Sequence, residues 1–302
     1  MKINICLFNN INPINNDFSG VNDQVEILSN FFEHNSINYK ISMTLDPSSL
    51  NLLIENFTEE YIESIKLFCN KWNKKILILM TEHIALENGR VKFGSYNLTN
   101  PAYIGNAVQR FYSLSLLSEY TLAYTTIGEL PFLRQLKELF NSSKVYRFDY
   151  PLINKKIVNL PNIKKKYDLS FSGYMTNYRS KIISELRKKY KFKSHDVTGD
   201  DRQRDLNALS TKVAVNIPQE EDWLWVSPMR VSYYLSMGIP CVHIGKGDKT
   251  KFYEKILSWV DIDQALKSPN LVHKKQLDAY NDLRGDDKSL KSLFKIWNSL
   301  EN

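Results

Sequence analysis

Val213-Ala-Val-Asn-Ile-Pro-Gln-Glu-Glu-Asp-Trp-Leu-Trp-Val-Ser-Pro-Met-Arg-Val-Ser-Tyr-Tyr-Leu-Ser-Met-Gly-Ile-Pro-Cys-Val-His243 is the stretch that decides how this chain folds. The apolar run from Val213 to Ile217 reads as a buried strand, and a polar, aromatic loop follows it. Ser227, with Pro228 at the first helical position, opens a helix that Gly238 stops before another apolar strand. Arg230 falls in the first turn of that helix, where a cation opposes the helix dipole and costs a few tenths of a kcal/mol unless it meets an anion. An anionic ligand explains the placement; pairing with Glu220, Glu221 or Asp222 is the alternative.

Working outward, strands are expected at Tyr167 to Ser172, Phe192 to His195, Lys212 to Ile217 and Ile239 to Ile244. Helices are expected at Asn177 to Tyr190, Arg202 to Leu209 and Ser227 to Met237, with weaker helical pieces ending in Lys288 to Leu300. The first half shows the same alternation. Its strands are expected at Lys2 to Phe8, Tyr39 to Met43, Leu52 to Glu55, Lys75 to Met80, Tyr120 to Thr125 and Lys144 to Phe148. A helix after Thr58 should carry an apolar stripe of Tyr61, Ile65 and Phe68. Between Tyr150 and Lys166 the periodicity lapses and Pro151 and Pro161 appear, which marks a linker. The expected fold class is α/β, with two Rossmann-like domains, residues 1–150 and 151–302, facing a cleft and binding ligands at the carboxyl ends of their strands. One large sheet is the alternative.

Composition agrees with two domains. The chain has 302 residues, 43% hydrophobic and 24% charged, which excludes wholesale disorder. No stretch is apolar for the roughly 18 residues of a membrane span. The start reads as a strand and not as a signal peptide, so a cytoplasmic protein is expected. Cys6, Cys69 and Cys241 are scattered without metal-ligand spacing and suit buried thiols, so neither zinc nor disulfides are expected. The net charge of +7 suits nucleic acid, an anionic membrane face or a phosphorylated ligand. Nothing resembles a nucleic-acid module, and no nucleic-acid partner is expected.

A second motif is Asp168-Leu-Ser-Phe-Ser-Gly-Tyr-Met-Thr-Asn-Tyr-Arg179, where a strand ends at Gly173 and a helix begins near Asn177. Backbone amides, helix dipole and the Arg179 guanidinium would favour one anion there. A turn glycine with Asn177 as helix cap is the plainer reading. Together, Ser227-Pro-Met-Arg230 through Leu235-Ser-Met-Gly-Ile-Pro-Cys-Val242 resembles the donor-site helix of GT-B glycosyltransferases, and the turn from Gly173 to Arg179 is similar to their other phosphate loop. The resemblance implies transfer of a sugar from a nucleotide-sugar donor to a glycan or lipid-linked acceptor, of the kind built into lipopolysaccharide, O-antigen or capsule. It implies donor contacts at Gly173, Tyr174, Asn177, Arg179, Ser227, Pro228 and Arg230, and a last helix that packs back on the first domain. A spaced pair of glutamates found in one GT-B pattern is absent around Arg230, which leaves donor class and stereochemical course open.

In the first half, Asp17, Glu82 and His83 are the candidates for a catalytic base, since an acceptor hydroxyl must lose its proton to a carboxylate or imidazole. No cofactor and no metal are expected, because arginine and helix dipoles can stabilise a leaving diphosphate. Asp261-Ile-Asp263 reads as a helix start. A lipid-linked acceptor would place the enzyme in peripheral contact with the inner membrane face. Trp223 and Trp225 could stack on a base or sugar, or fill the core. The Asn- and Gly-containing stretch from Glu82 to Pro101 reads as an acceptor lid or a disordered excursion. Other readings are a transferase using a CMP-linked acidic sugar, a two-lobed nucleotide-sugar epimerase, and a non-catalytic binding partner.

Overall fold

A computed structural model describes residues 2–8, 21–54, 59–81, 84–87, 90–93, 101–129, 139–140, 144–148, 150, 153, 163–195 and 201–284; at 84–87, 90–93, 101–108, 144–145 and 201–202 it describes the backbone. The chain divides into two compact units, and Tyr150 begins the second.

The first unit contains β1 (Lys2–Cys6), α1 (Asn22–His34), β2 (Asn38–Ser42), β3 (Leu50–Ile54), α2 (Glu59–Trp72) and β4 (Ile76–Leu79). It continues with β5 (Ile84–Glu87), β6 (Arg90–Phe93), α3 (Pro101–Leu116), β7 (Thr121–Ile127) and β8 (Lys144–Phe148). Six strands form one sheet in the order β2-β1-β3-β4-β7-β8. Every pairing in it is parallel. All residues of β3 and β4 are buried, which is the pattern of strands covered on both faces. Helix α1 buries Val25, Leu28, Phe31 and Phe32, with Phe31 and Phe32 set edge-on to Phe148 at 5.4 and 6.0 Å. Helix α2 buries Ile62, Ile65 and Cys69, so its inward stripe is turned one residue from the expected Tyr61, Ile65 and Phe68.

The connection from β2 to β3 crosses β1 in seven residues without a helix, and buried polar groups replace the missing backbone bonds. Asn4, on β1, donates to Asn51 Oδ1 on β3 at 2.8 Å and to the Thr44 carbonyl at 2.9 Å. Asn51 Oδ1 also accepts from the Asp46 amide at 2.8 Å, and its own amide donates to the Asp46 carbonyl. Both asparagines are fully buried. Residues 84–93, expected as a lid or an excursion, contain the antiparallel pair β5 and β6, with Glu87 opposite Arg90.

The second unit contains β9 (Tyr167–Ser172), α4 (Asn177–Arg187), β10 (Phe192–His195), α5 (Asp201–Leu209), β11 (Thr211–Asn216), α6 (Pro228–Ser236), β12 (Cys241–His243), α7 (Lys251–Ile256), α8 (Ile262–Lys267) and α9 (Pro269–Leu283). Its four strands are parallel in the order β10-β9-β11-β12. Successive side chains of β11 serve opposite faces. Ala214 joins Val231, Tyr234 and Leu235 of α6, Phe252 of α7 and Tyr280 of α9. Val213 and Val215 join Ile183 of α4, Ala265 of α8 and Val272 of α9. Tyr150 packs on Phe252 with ring centroids 5.0 Å apart. At the sheet edge, the buried amide of Gln276 acts as a surrogate strand: it accepts from Cys241 N at 3.0 Å and donates to Cys241 O at 2.6 Å. The three cysteines are free and buried, and burial pushes the Cys241 thiol up to about 12. Asp261 caps α8 by accepting from Gln264 N at 2.8 Å, a helix-start role.

Candidate nucleotide-binding site

Strand order fixes where a ligand fits the second unit. From β9 the chain moves to β10 on one side, then crosses to β11 on the other, so the connections diverge at the carboxyl ends of β9 and β11. Open parallel sheets bind ligands at such a switch point.

Arg230 occupies it. Its Nε donates to the Ser172 carbonyl at the end of β9, 3.0 Å away, and Nη1 donates to Asn216 Oδ1 at the end of β11, 2.9 Å away. The guanidinium lies 5.3 Å from the centre of the Phe171 ring. Gly173 has φ +152° and leaves room for it: a Cβ at 173 would stand 3.0 Å from Nη2 of Arg230. Ser227 is the N-cap of α6 with Pro228 at its start, and the Ser227 hydroxyl makes no capping hydrogen bond. That end of the helix presents its dipole beside a half-buried cation, a combination suited to phosphate oxygens.

The surrounding loops are tied to one another. Thr176 is the N-cap of α4, accepting from Arg179 N at 3.2 Å and donating to the Gln219 carbonyl at 2.6 Å. Asp248 accepts from Val226 N at 2.9 Å, which joins the loop after β12 to the segment that enters α6. Gly247 passes so close beneath Tyr253 that a Cβ there would stand 2.0 Å from its ring. Glu220 sits in the loop after β11, where burial and the charge of Asp222 raise its carboxyl and Arg179 opposes them.

No family model and no curated protein sequence matches the chain. Among solved structures, it is similar over 100% of both chains to a DNA-modifying β-glucosyltransferase studied with and without uridine diphosphoglucose, at 13% identity and a TM-score of 0.53. An α-glucosyltransferase in complex with UDP and a 13-mer DNA aligns over 98% of this chain and 99% of its own, at 9% identity and a TM-score of 0.46. A UDP-forming trehalose-phosphate synthase from Burkholderia xenovorans aligns over 93% and 78%, at 9% identity and a TM-score of 0.44. The first of the three bears on the fold. The chain has the GT-B fold.

Of the residues that the GT-B resemblance implied for the donor, the structure brings Gly173, Ser227, Pro228 and Arg230 to the carboxyl edge of the second sheet. Tyr174 is exposed at 41% beside Gly173. Asn177 is the first helical residue of α4 and exposed, and the cap is Thr176 in its place, because the Thr176 hydroxyl reaches Arg179 N. Arg179 is turned inward at 2% exposure: it donates to the carbonyls of Ile217, Pro218 and Tyr174 at 3.0, 3.2 and 2.7 Å. Its guanidinium thereby fastens the loops after β9 and β11, a bracing role where the sequence suggested an anion contact. Trp223 and Trp225 are buried and stacked on each other at 6.3 Å, a packing role. Asp17, Glu82, His83 and the helix expected at Lys288 to Leu300 lie outside the described residues.

Asn216 and His243 escaped the sequence reading, although both are polar residues closing apolar strands. Asn216 Nδ2 lies 2.9 Å from His243 Nδ1, and His243 Nε2 lies 3.0 Å from the Lys246 carbonyl.

Proposed function

We propose that this GT-B chain is a glycosyltransferase that binds a nucleotide-sugar donor at the carboxyl ends of β9 and β11. The observation that carries the reading is the half-buried Arg230 guanidinium, held across the switch point beside the dipole end of α6. In transfer, the bond from the sugar anomeric carbon to the phosphate oxygen breaks, and negative charge grows on the leaving phosphate. Arg230 and the amides of the first turn of α6 meet that charge, which is worth most where the groups are already in place. The same groups support turnover without a divalent cation. An acceptor hydroxyl attacks the anomeric carbon and gives its proton to a base, for which Asp17, Glu82 and His83 remain the candidates. The acceptor we assign is a glycan or lipid-linked intermediate of a bacterial surface polysaccharide, handled in the cytoplasm at the inner membrane face.

A second reading takes DNA as the acceptor. It is favoured by the β-glucosyltransferase likeness, whose own protein modifies DNA, and by the net charge of +7.

The test incubates the chain with UDP-glucose, GDP-mannose and a CMP-linked acidic sugar, each with lipid-linked glycan or duplex DNA, with and without EDTA. Sugar incorporation into the glycan fraction supports the first reading, and incorporation into DNA the second. Neither transfer nor donor hydrolysis with any donor would remove the enzyme reading.

A further inference from the structure

The ends of the polar chain behind Arg230 fix its direction. A guanidinium only donates, so Asn216 must turn its oxygen to Arg230 and its NH2 to His243. The Lys246 carbonyl only accepts, so the proton of the His243 ring sits on Nε2 and leaves Nδ1 as the acceptor for Asn216. The bonds of Asn216 to Arg230 and to His243 require a bare Nδ1 and so a neutral imidazole, whereas the bond from Nε2 to the Lys246 carbonyl serves the neutral and the charged ring alike. We propose that Asn216 and His243 are positioning residues for the anion-binding Arg230, acting through this directed chain from the Lys246 carbonyl to the guanidinium. The proposal rests on the reading of Arg230 as the diphosphate contact.

Protonating His243 leaves the bond to the Lys246 carbonyl in place and turns Asn216 over. With hydrogens on both ring nitrogens, Asn216 turns its oxygen to Nδ1 and presents NH2 to the Arg230 guanidinium, donor against donor, and Arg230 loses its tether at β11. The charged groups facing the ring are Arg230 from α6, which disfavours the imidazolium, and Asp248 of the following loop, which favours it. Tyr253 of α7 packs edge-on at 5.5 Å. Burial outweighs the rest and holds the ring below the ordinary imidazole range.

The experiment titrates UDP calorimetrically against wild type, Arg230→Ala, Asn216→Ala and His243→Gln between pH 5 and 8. At pH 7.5, Asn216→Ala is expected to weaken UDP about tenfold, the loss of one bond to a charged group. The ratio of wild-type to Asn216→Ala affinity should shrink toward one as the pH falls, because protonation has already turned Asn216 over in wild type; taking the ratio cancels the titration of UDP itself. A ratio constant with pH overturns the positioning role, and a merely structural asparagine gives that result. Wild type blind to UDP while another nucleotide binds moves the series to that nucleotide. Independently of any ligand, 15N shifts of the His243 ring should show Nε2 protonated and Nδ1 bare above pH 6.5, and the opposite tautomer overturns the chain. Loss of all nucleotide binding with the expected tautomer present would defeat the diphosphate reading alone.

Discussion

Arg230 Nη2 lies where Gly173 leaves space for it, 3.0 Å from the point a Cβ at position 173 would occupy. Two segments 57 positions apart in sequence, the turn after β9 and the first turn of α6, thus share one small volume. Gly173→Ala should therefore act twice. The φ of +152° strains any L side chain, and the methyl group presses on Arg230 and Phe171. A loss of about 1 to 3 kcal/mol in urea denaturation, together with weakened nucleotide binding, is expected.

The two arginines of the site should separate cleanly. Arg179→Met leaves three backbone carbonyls short of a buried donor and is expected to cost about 3 kcal/mol of stability. Arg230→Ala leaves the Ser172 carbonyl and the Asn216 oxygen short of a half-buried donor, so it should lower the melting temperature of the free protein less than Arg179→Met does while removing the nucleotide response. Paired thermal melts with and without nucleotide check both.

Gln276→Leu keeps the volume but leaves the amide and carbonyl of Cys241 unpaired at the edge of the sheet. The Ile256 carbonyl, 3.0 Å from the same side-chain NH2, loses its bond as well, and the expected cost is about 2 to 4 kcal/mol by chemical denaturation, since three backbone groups lose a partner. His273, which reaches the Leu235 carbonyl from the same helix at 2.8 Å, provides a milder control as His273→Ala.

Stability should fall on acidification in two windows. Burial alone would raise the Asp46 carboxyl, but Lys40 at 2.7 Å and the bonds from Ser48 and Ser49 outweigh it and hold it far below the usual range. A lowered carboxylate stabilises fully above its unfolded value near pH 4 and loses that contribution as the pH falls below it. His243 is also lowered, chiefly by burial, so its contribution is complete above about pH 6.5 and fades below it as the unfolded chain takes up the proton first. Denaturation midpoints measured from pH 8 to 3 should show both losses, the upper one absent in His243→Gln and the lower one in Asp46→Asn.

Regular elements were legible wherever periodicity and boundary chemistry agreed. Strands β8, β9 and β10 fall where the apolar runs placed them, and α6 begins at Pro228 as its Ser-Pro opening implied. The β5 and β6 pair has a signal of its own in Asn88-Gly89, the two-residue hairpin signature, followed by the alternating Arg90-Val-Lys-Phe93. Side-chain direction was harder. Arg179 and Arg230 each stand in the first turn of a helix after a strand, and sequence spacing gives them the same role. Tertiary packing separates them: Arg179 donates to the carbonyls of Ile217 and Pro218, and Arg230 to the Ser172 carbonyl and the Asn216 oxygen. The Asn216 and His243 pair joins residues 27 apart through the register of β11 on β12, which local pattern does not carry.

The proposed binding of nucleotide phosphates by Arg230 is tested by thermal melts of wild type and Arg230→Ala with UDP, GDP, CMP, CDP and dTDP. One nucleotide at about a hundred times its dissociation constant should add about 2.7 kcal/mol to wild type and nothing to the variant. If no nucleotide stabilises wild type, or if Arg230→Ala keeps the full response, the site assigned here is wrong.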